Sequence, residues 1–245
     1  MKELSSSYGR VLIGPKEEVY RHAVFLAGGQ RGRNSQAKVF TWALTGGTTP
    51  QEWYRWCVAQ DALSPGLLAT THWFTSDERY VSLTSNDSNF GHAERDLLAP
   101  LKIPVEKRHP WPVALPAPDA AADYARQGAA WFRRGQCFDL CFLGMGADGH
   151  TASFFPGSPL LQDDGGRFFA AVEVPGKGLR LTITPTGLRA CGMIVVMVLG
   201  AEKADALYRV LAGPLDPFYV PAQVLKTCSQ NVVWLVDEAA AARFL

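Results

Sequence analysis

The chain has 245 residues, 47% of them apolar, and a formal net charge of +1. That suffices for one large α/β domain or two small ones, and it provides no single-sign field to favour nucleic acid or an acidic membrane surface. Arg31 with Arg33, and Arg133 with Arg134, read as short basic pairs on a solvated surface. Five cysteines (Cys57, Cys137, Cys141, Cys191 and Cys228) show no C-x-x-C spacing. An odd count of this kind fits reduced thiols. Residues 1–10 lack the apolar centre of a signal peptide, and the longest apolar run, 193–199, is far short of the about 20 residues that cross a bilayer. The expectation is a cytoplasmic protein without a membrane partner.

In chain order, apolar runs predict strands at 39–44, 72–75, 138–143, 168–172, 181–184, 194–199 and 232–236. Helical stretches lie between several of them. Residues 50–59 open with Pro50 at a first-turn position. Residues 87–98 and 119–132 carry apolar or alanine-rich faces, and 201–211 comes directly after Gly200. Residues 103–118 hold five prolines and read as a surface connection, because the strand pattern resumes beyond them. Residues 163–167 and 175–179 are further loops. The alternation predicts a single α/β domain over 1–245, a mostly parallel sheet with helices on both faces. The wholly apolar run 194–199 fits a sheet buried on both sides.

The segments that leave the strands are more informative than the strands. Leu44 runs into Thr-Gly-Gly-Thr-Thr-Pro, Thr75 into Ser-Asp-Glu-Arg, Leu143 into Gly-Met-Gly-Ala-Asp-Gly-His, and Leu199 into Gly-Ala-Glu-Lys. In a parallel sheet these ends share one edge, where open α/β sheets bind ligands. Gly46 and Gly47 expose backbone N–H groups, Thr48 and Thr49 add hydroxyls, and the helix start adds its positive end, which together suit a phosphate. The segment is not a Walker motif, and an ordinary tight turn is the plainer alternative. Asp77, Glu78 and Arg79 offer either a bidentate anion contact through the guanidinium or a surface ion-pair cluster. Lys203, in the first turn after Gly200, opposes the helix dipole, a mild cost that makes sense beside a bound anion. Arg180 precedes a strand and allows the same two readings.

Gly144, Gly146 and Gly149 match the spacing of a dinucleotide fingerprint, with Asp164 downstream. The fingerprint needs a clean helix after its glycines. Here His150 comes at once, and Phe154-Phe155-Pro156-Gly157 breaks any helix, so NAD(P) binding is rejected. His22, His72, His92 and His109 are scattered without ligand spacing, so no metal is expected. His150 sits in a polar, glycine-rich turn and can move a proton near neutrality. There is no G-x-S-x-G elbow, which argues against a serine hydrolase.

Taken together these residues resemble the 6-phosphogluconolactonases, the second enzyme family of the oxidative pentose phosphate pathway. The family's Leu-Ser-Gly-Gly-Ser-Thr-Pro turn is similar to residues 44–50, with Thr45 and Thr48 where serine is usual. Its Asp-Glu-Arg matches Asp77 to Arg79, with Ser88 and Asn89 shortly after, and the intervening segment 84–87 is less acidic than usual. Its long Gly-Met-Gly-x-Asp-Gly-His-Thr-Ala-Ser-x-Phe-Pro matches residues 144–156. Its Arg-Ile-Thr-Leu-Thr is similar to the run from Arg180, and Gly200-x-x-Lys203 completes a set spanning residues 44–203.

The resemblance implies a modified doubly wound, Rossmann-like sheet shared with glucosamine-6-phosphate deaminases and ribose-5-phosphate isomerases. It implies hydrolysis of 6-phosphogluconolactone without metal or organic cofactor, by a monomer or weak homodimer whose partner is the phosphorylated sugar lactone. His150 would act as general base on water and Asp148 would orient it. Gly46, Gly47, Thr48, Thr49, Asp77, Arg79, Gly146, Arg180 and Lys203 would hold the substrate and its phosphate. The deaminases are the rival reading; they carry Glu immediately before the proline, where this chain has Phe155, which cannot handle a proton. A non-catalytic sugar-phosphate sensor on the same fold is the third, and the intact His150 speaks against it.

Overall fold

The computed structural model describes residues 1–34 and 36–245. The strands of the main sheet are β1 (Lys2–Ser6), β2 (Gly9–Gly14), β3 (Phe40–Leu44), β4 (Thr71–Thr75), β6 (Leu140–Gly144), β9 (Ile194–Val198) and β10 (Val232–Asp237). A second sheet holds β5 (Asp77–Arg79), β7 (Phe169–Val174) and β8 (Gly178–Ile183). The helices are α1 (Lys16–Arg33), α2 (Thr48–Ala59), α3 (Pro65–Thr70), α4 (Asn89–Ala93), α5 (Ala117–Ala129), α6 (Pro185–Arg189) and α7 (Ala204–Ala212).

The seven-stranded sheet has the order β1-β2-β10-β9-β6-β3-β4. It is parallel throughout except at β1, which pairs antiparallel with β2 at one edge. Its central strands are apolar at nearly every position because both faces are covered. With the two-residue period of a strand, Phe40, Trp42 and Leu44 face one layer and Ala43 the other. The Phe40 face packs against α1, α2, α3 and α4. The opposite face packs against α5, α6, α7 and the small sheet. Predicted helices on both faces are thus observed.

Four differences from the sequence reading have physical causes. β1 is a polar edge strand, so it shows no apolar alternation. The α1 helix carries Gly28, Gly29 and Gly32 in its last turns, and their low helix propensity hides an otherwise periodic Val19, Ala23, Leu26, Ala27 stripe. The strands predicted at 168–172 and 181–184 do not join the parallel sheet. Their connection is a short turn, whereas a parallel crossover takes a dozen or more residues, so β7 and β8 form an antiparallel hairpin. Finally, the stretch predicted as one helix over 87–98 divides into α4 and a wider π-type turn, Glu94–Leu98. Among the described residues no helix is long and apolar enough to cross a membrane.

One buried contact couples this fold to pH. The Nδ1 of His72 and the Nε2 of His109 lie 2.8 Å apart, with the rings stacked and Phe74 and Trp131 against them. Burial pushes both histidines below their ordinary value, and the neighbouring His72 helps take His109 down to about 4. The unfolded chain therefore takes up a proton at a pH where the folded chain does not. The stability from this pair is complete above the ordinary histidine value of about 6.5 and is lost as pH falls toward about 4. The expected loss is on the order of 2 kcal/mol, less than the full roughly 1.4 kcal/mol per pH unit because the pair is only partly buried and solvent screens it. Denaturant unfolding of His109→Phe should show a flatter stability profile between about pH 6.5 and 4 than the unaltered protein; parallel profiles would contradict this assignment.

Candidate active site

The chain reverses direction across the sheet between β3 and β6. From β3 it moves outward to β4; from β6 it moves the other way, to β9 and then β10. The loops leaving the C-terminal ends of β3 and β6 therefore diverge, and a crevice opens between them, the usual ligand position of open α/β sheets. A cleft of roughly 460 Å³ occupies this place. Loops after β3, β6 and β9 form its floor, and β5 with β8 forms a wall.

The first loop leads into α2. Gly47 has φ of +106°, in the left-handed region where glycine is favoured, and it precedes the helix. Helix α2 begins at Thr48, two residues before the predicted start. No side chain caps it and no acidic residue lies in its first turn. Its first N–H groups and positive end therefore meet the cleft with no capping side chain and no acid of their own turn. Gly46 cannot be replaced cheaply: a Cβ there would lie 1.8 Å from the Oδ1 of Asn89. Asn89 in turn donates from Nδ2 to the Asp77 carbonyl at 2.9 Å and so ties the start of α4 to β5.

Within the small sheet Arg79 lies directly opposite Arg180, and Asp77 opposite Thr182. Like charges facing across two strands are unfavourable, by about 0.2–1 kcal/mol. Burial and the neighbouring Arg79 both push Arg180 below its ordinary value. The Arg79 guanidinium donates to the Asp87 carbonyl at 2.6 Å, and that of Arg180 to the Leu179 carbonyl at 3.1 Å, so neither is neutralised by these contacts. The Asp77 carboxylate is buried and accepts from the hydroxyls of Ser76 and Ser153. Glu78, between them, points to the other side. It is fully buried, accepts from Ser88 and from the backbone N–H groups of Asn89 and Phe90, and holds the start of α4. The Asp-Glu-Arg triplet is therefore not a surface ion-pair cluster.

The turn after β6 carries Asp148 and His150. The Nδ1 of His150 lies 2.5 Å from the Oδ1 of Asp148, and the His150 backbone N–H donates to the same oxygen at 3.1 Å. Partial burial on its own raises the Asp148 carboxyl, but the hydrogen bonds from His150 outweigh it and hold Asp148 at about 2. Asp148 is therefore an anion at every pH of interest. An anionic carboxylate can only accept, so Nδ1 is the donor in this contact. Gly146 is required beneath the pair, since a Cβ there would lie 2.0 Å from Nδ1 and 2.6 Å from the Asp148 oxygen. Phe155 stacks on the imidazole, with ring centroids 4.3 Å apart. After the three glycines the next helical turn is Pro159–Leu161, beyond the long motif.

Gly46, Gly47, Thr48, Thr49, Asp77, Arg79, Gly146, His150, Arg180 and Lys203 all line the cleft. Asp148 does not; it stands behind His150 as its partner. Asn89, Ser153, Phe155, Lys177 and Glu202 also line the cleft without having been predicted as ligands. Ser153 and Phe155 lay inside the long motif, and Glu202 beside Lys203, so their neighbourhood was a usable signal. Lys177 sits in a loop that had no motif to mark it. Among the described residues, no three histidine, cysteine, aspartate or glutamate side chains gather as metal ligands do.

Residues 17–234 match the model of the family described as Glucosamine-6-phosphate isomerases/6-phosphogluconolactonase. The chain belongs to that family. A curated member named 6-phosphogluconolactonase from Synechocystis sp. is 36% identical over 205 residues, covering 82% of each chain. Another of that name from Nostoc sp. is 34% identical over 208 residues, covering 83% of this chain and 84% of its own. The solved 6-phosphogluconolactonase from Trypanosoma brucei superposes with a TM-score of 0.83 at 27% identity, over 96% of this chain and 98% of that one. A monomeric glucosamine-6-phosphate deaminase shares the fold, with a TM-score of 0.78 at 18% identity over 95% and 98% of the two chains.

The facing arginines yield a test that needs no substrate. Arg180→Met removes a like-charge pair, so the ligand-free protein should melt about 1–3 °C higher. The same variant should lose most of the thermal stabilisation that inorganic phosphate gives the unaltered protein. A lower melting temperature together with an undiminished phosphate effect would show that the pair is not an anion site.

Proposed function

We propose that the protein hydrolyses 6-phospho-D-glucono-1,5-lactone to 6-phosphogluconate, the second step of the oxidative pentose phosphate pathway, with His150 as general base. The observation that supports this most is the His150–Asp148 pair at a cleft that Arg79, Arg180, Lys203 and the uncapped start of α2 also line. The relatives named for this reaction support the substrate.

The phosphate binds at the N-terminus of α2, with Thr48, Thr49, Arg79, Arg180 and Lys203 around it. The Asp77 carboxylate, already held by the Ser76 and Ser153 hydroxyls, suits sugar hydroxyls rather than a phosphate. Anchoring the remote phosphate holds the lactone carbonyl against His150, so binding energy is spent on orientation. His150 Nε2 takes a proton from water as the water oxygen bonds to C1. The resulting imidazolium, stabilised by Asp148, gives the proton to the ring oxygen as the C1–O bond breaks. Phe155 disfavours the deaminase and isomerase reading, because the position beside His150 holds a ring with no exchangeable proton.

His150→Ala should lower kcat by about 10²–10⁴-fold while leaving 6-phosphogluconate binding within a few-fold. Turnover must be read above the spontaneous opening of freshly made lactone. Near-native kcat in this variant would remove His150 from the mechanism.

A further inference from the structure

Lys177 is the cation of the cleft that the phosphate site does not use. It sits at the tip of the β7–β8 hairpin, between Gly176 at φ +71° and Gly178 at φ +77°. Two left-handed glycines turn the chain so that this side chain leans over the cleft, which it lines. Its ammonium lies 5.1 Å from the centroid of the Phe155 ring, and that ring stacks on His150 at 4.3 Å. Among the described residues it has no ion-pair partner, and Phe155 holds it by its π face without neutralising it. A carboxylate at that position would have cancelled the charge.

This places a free positive charge one ring away from the base, at the reacting end of the cleft. The chemistry there creates negative charge where none existed. The neutral ester carbonyl becomes a tetrahedral oxyanion and then a carboxylate. We propose that Lys177 is a catalytic residue that contacts the C1 oxygen, stabilising first the oxyanion and then the product carboxylate. The proposal rests on the lactone-hydrolysis reading. Water oxygen bonds to C1, the water proton moves to His150 Nε2, and the carbonyl electron pair moves onto O1 beside the ammonium. That pair then re-forms the carbonyl as the C1–ring oxygen bond breaks, and the ring oxygen takes the proton from His150. The carboxylic acid ionises to solvent and its anion remains paired with Lys177 until release. A cation acting in this way adds little to binding of the neutral lactone and much to the stability of the oxyanion and the product, as differential stabilisation requires.

The test compares two ligands with the same phosphate. 6-Phosphogluconate carries a carboxylate at C1, and glucitol 6-phosphate carries a neutral hydroxymethyl group. Lys177 is exposed on a turn, so Lys177→Met should fold normally. In Lys177→Met, inhibition by 6-phosphogluconate should weaken about tenfold or more, and inhibition by glucitol 6-phosphate less than about twofold. The kcat on the lactone should fall by a similar factor with KM little changed, and Lys177→Arg should recover part of both losses. Equal weakening of both ligands would make Lys177 a phosphate anchor and overturn the proposal; no change in either would overturn it as well. Wild-type protein that does not open the lactone faster than water does would overturn the functional reading itself. An active wild type with an unaffected Lys177→Met overturns the Lys177 role alone.

Discussion

The site depends on one hydrogen bond, the 2.5 Å contact between His150 and Asp148, and on the glycine that makes room for it. The two residues are adjacent but one in the chain, so a tight turn is needed for their side chains to meet. Gly149 at φ +86° makes that turn, and the Gly146 N–H donates to the His150 carbonyl at 2.9 Å to close it. The Thr151 hydroxyl donates to the Gly144 carbonyl at 2.8 Å and fastens the turn to the end of β6. β6 is a buried interior strand paired on both sides, so the imidazole is carried by a regular element rather than by a free loop. An orienting carboxylate fixes the tautomer, and Phe155 limits rotation of the ring plane.

The remaining features of the cleft are costs that an anion would relieve. Arg79 and Arg180 face each other, and α2 starts without a cap. Each would be improved, as a matter of stability alone, by an acidic neighbour. Local interactions that disagree with the rest of a well-packed fold concentrate at functional sites. On the proposed reading their common remedy is the phosphate group of the substrate. His150 and Lys177 share the cleft and are linked through the Phe155 ring, against which both lie.

Much of the site was legible in the sequence because the informative residues are strand-end residues. Strand period and turn chemistry located the ends of β3, β4, β6 and β9 within one or two residues, and the ligand-facing glycines were recognisable from their neighbours. Asp148 could be paired with His150 because the two are close in the chain. The features that were not legible depend on contacts between distant segments. That Asn89 occupies the space above Gly46 results from the packing of α4 on the β3 loop. That Arg79 opposes Arg180 results from a register between residues about a hundred apart, in a small sheet the alternation of elements did not reveal. Lys177 reaches the cleft because β7 and β8 form a hairpin, and no local pattern distinguishes such a loop from any other exposed turn.

The mechanism turns on the protonation pattern of one ring. Long-range ¹H–¹⁵N correlation spectra of protein labelled at the histidine ring nitrogens, assigned with His150→Gln and recorded at pH 8, report it directly. His150 should carry its proton on Nδ1, toward Asp148, and Nε2 should show the shift of an unprotonated nitrogen. Asp148→Asn should weaken that preference. A His150 ring protonated on Nε2 in the unaltered protein would leave no lone pair to receive the proton of water, and would contradict the mechanism outright.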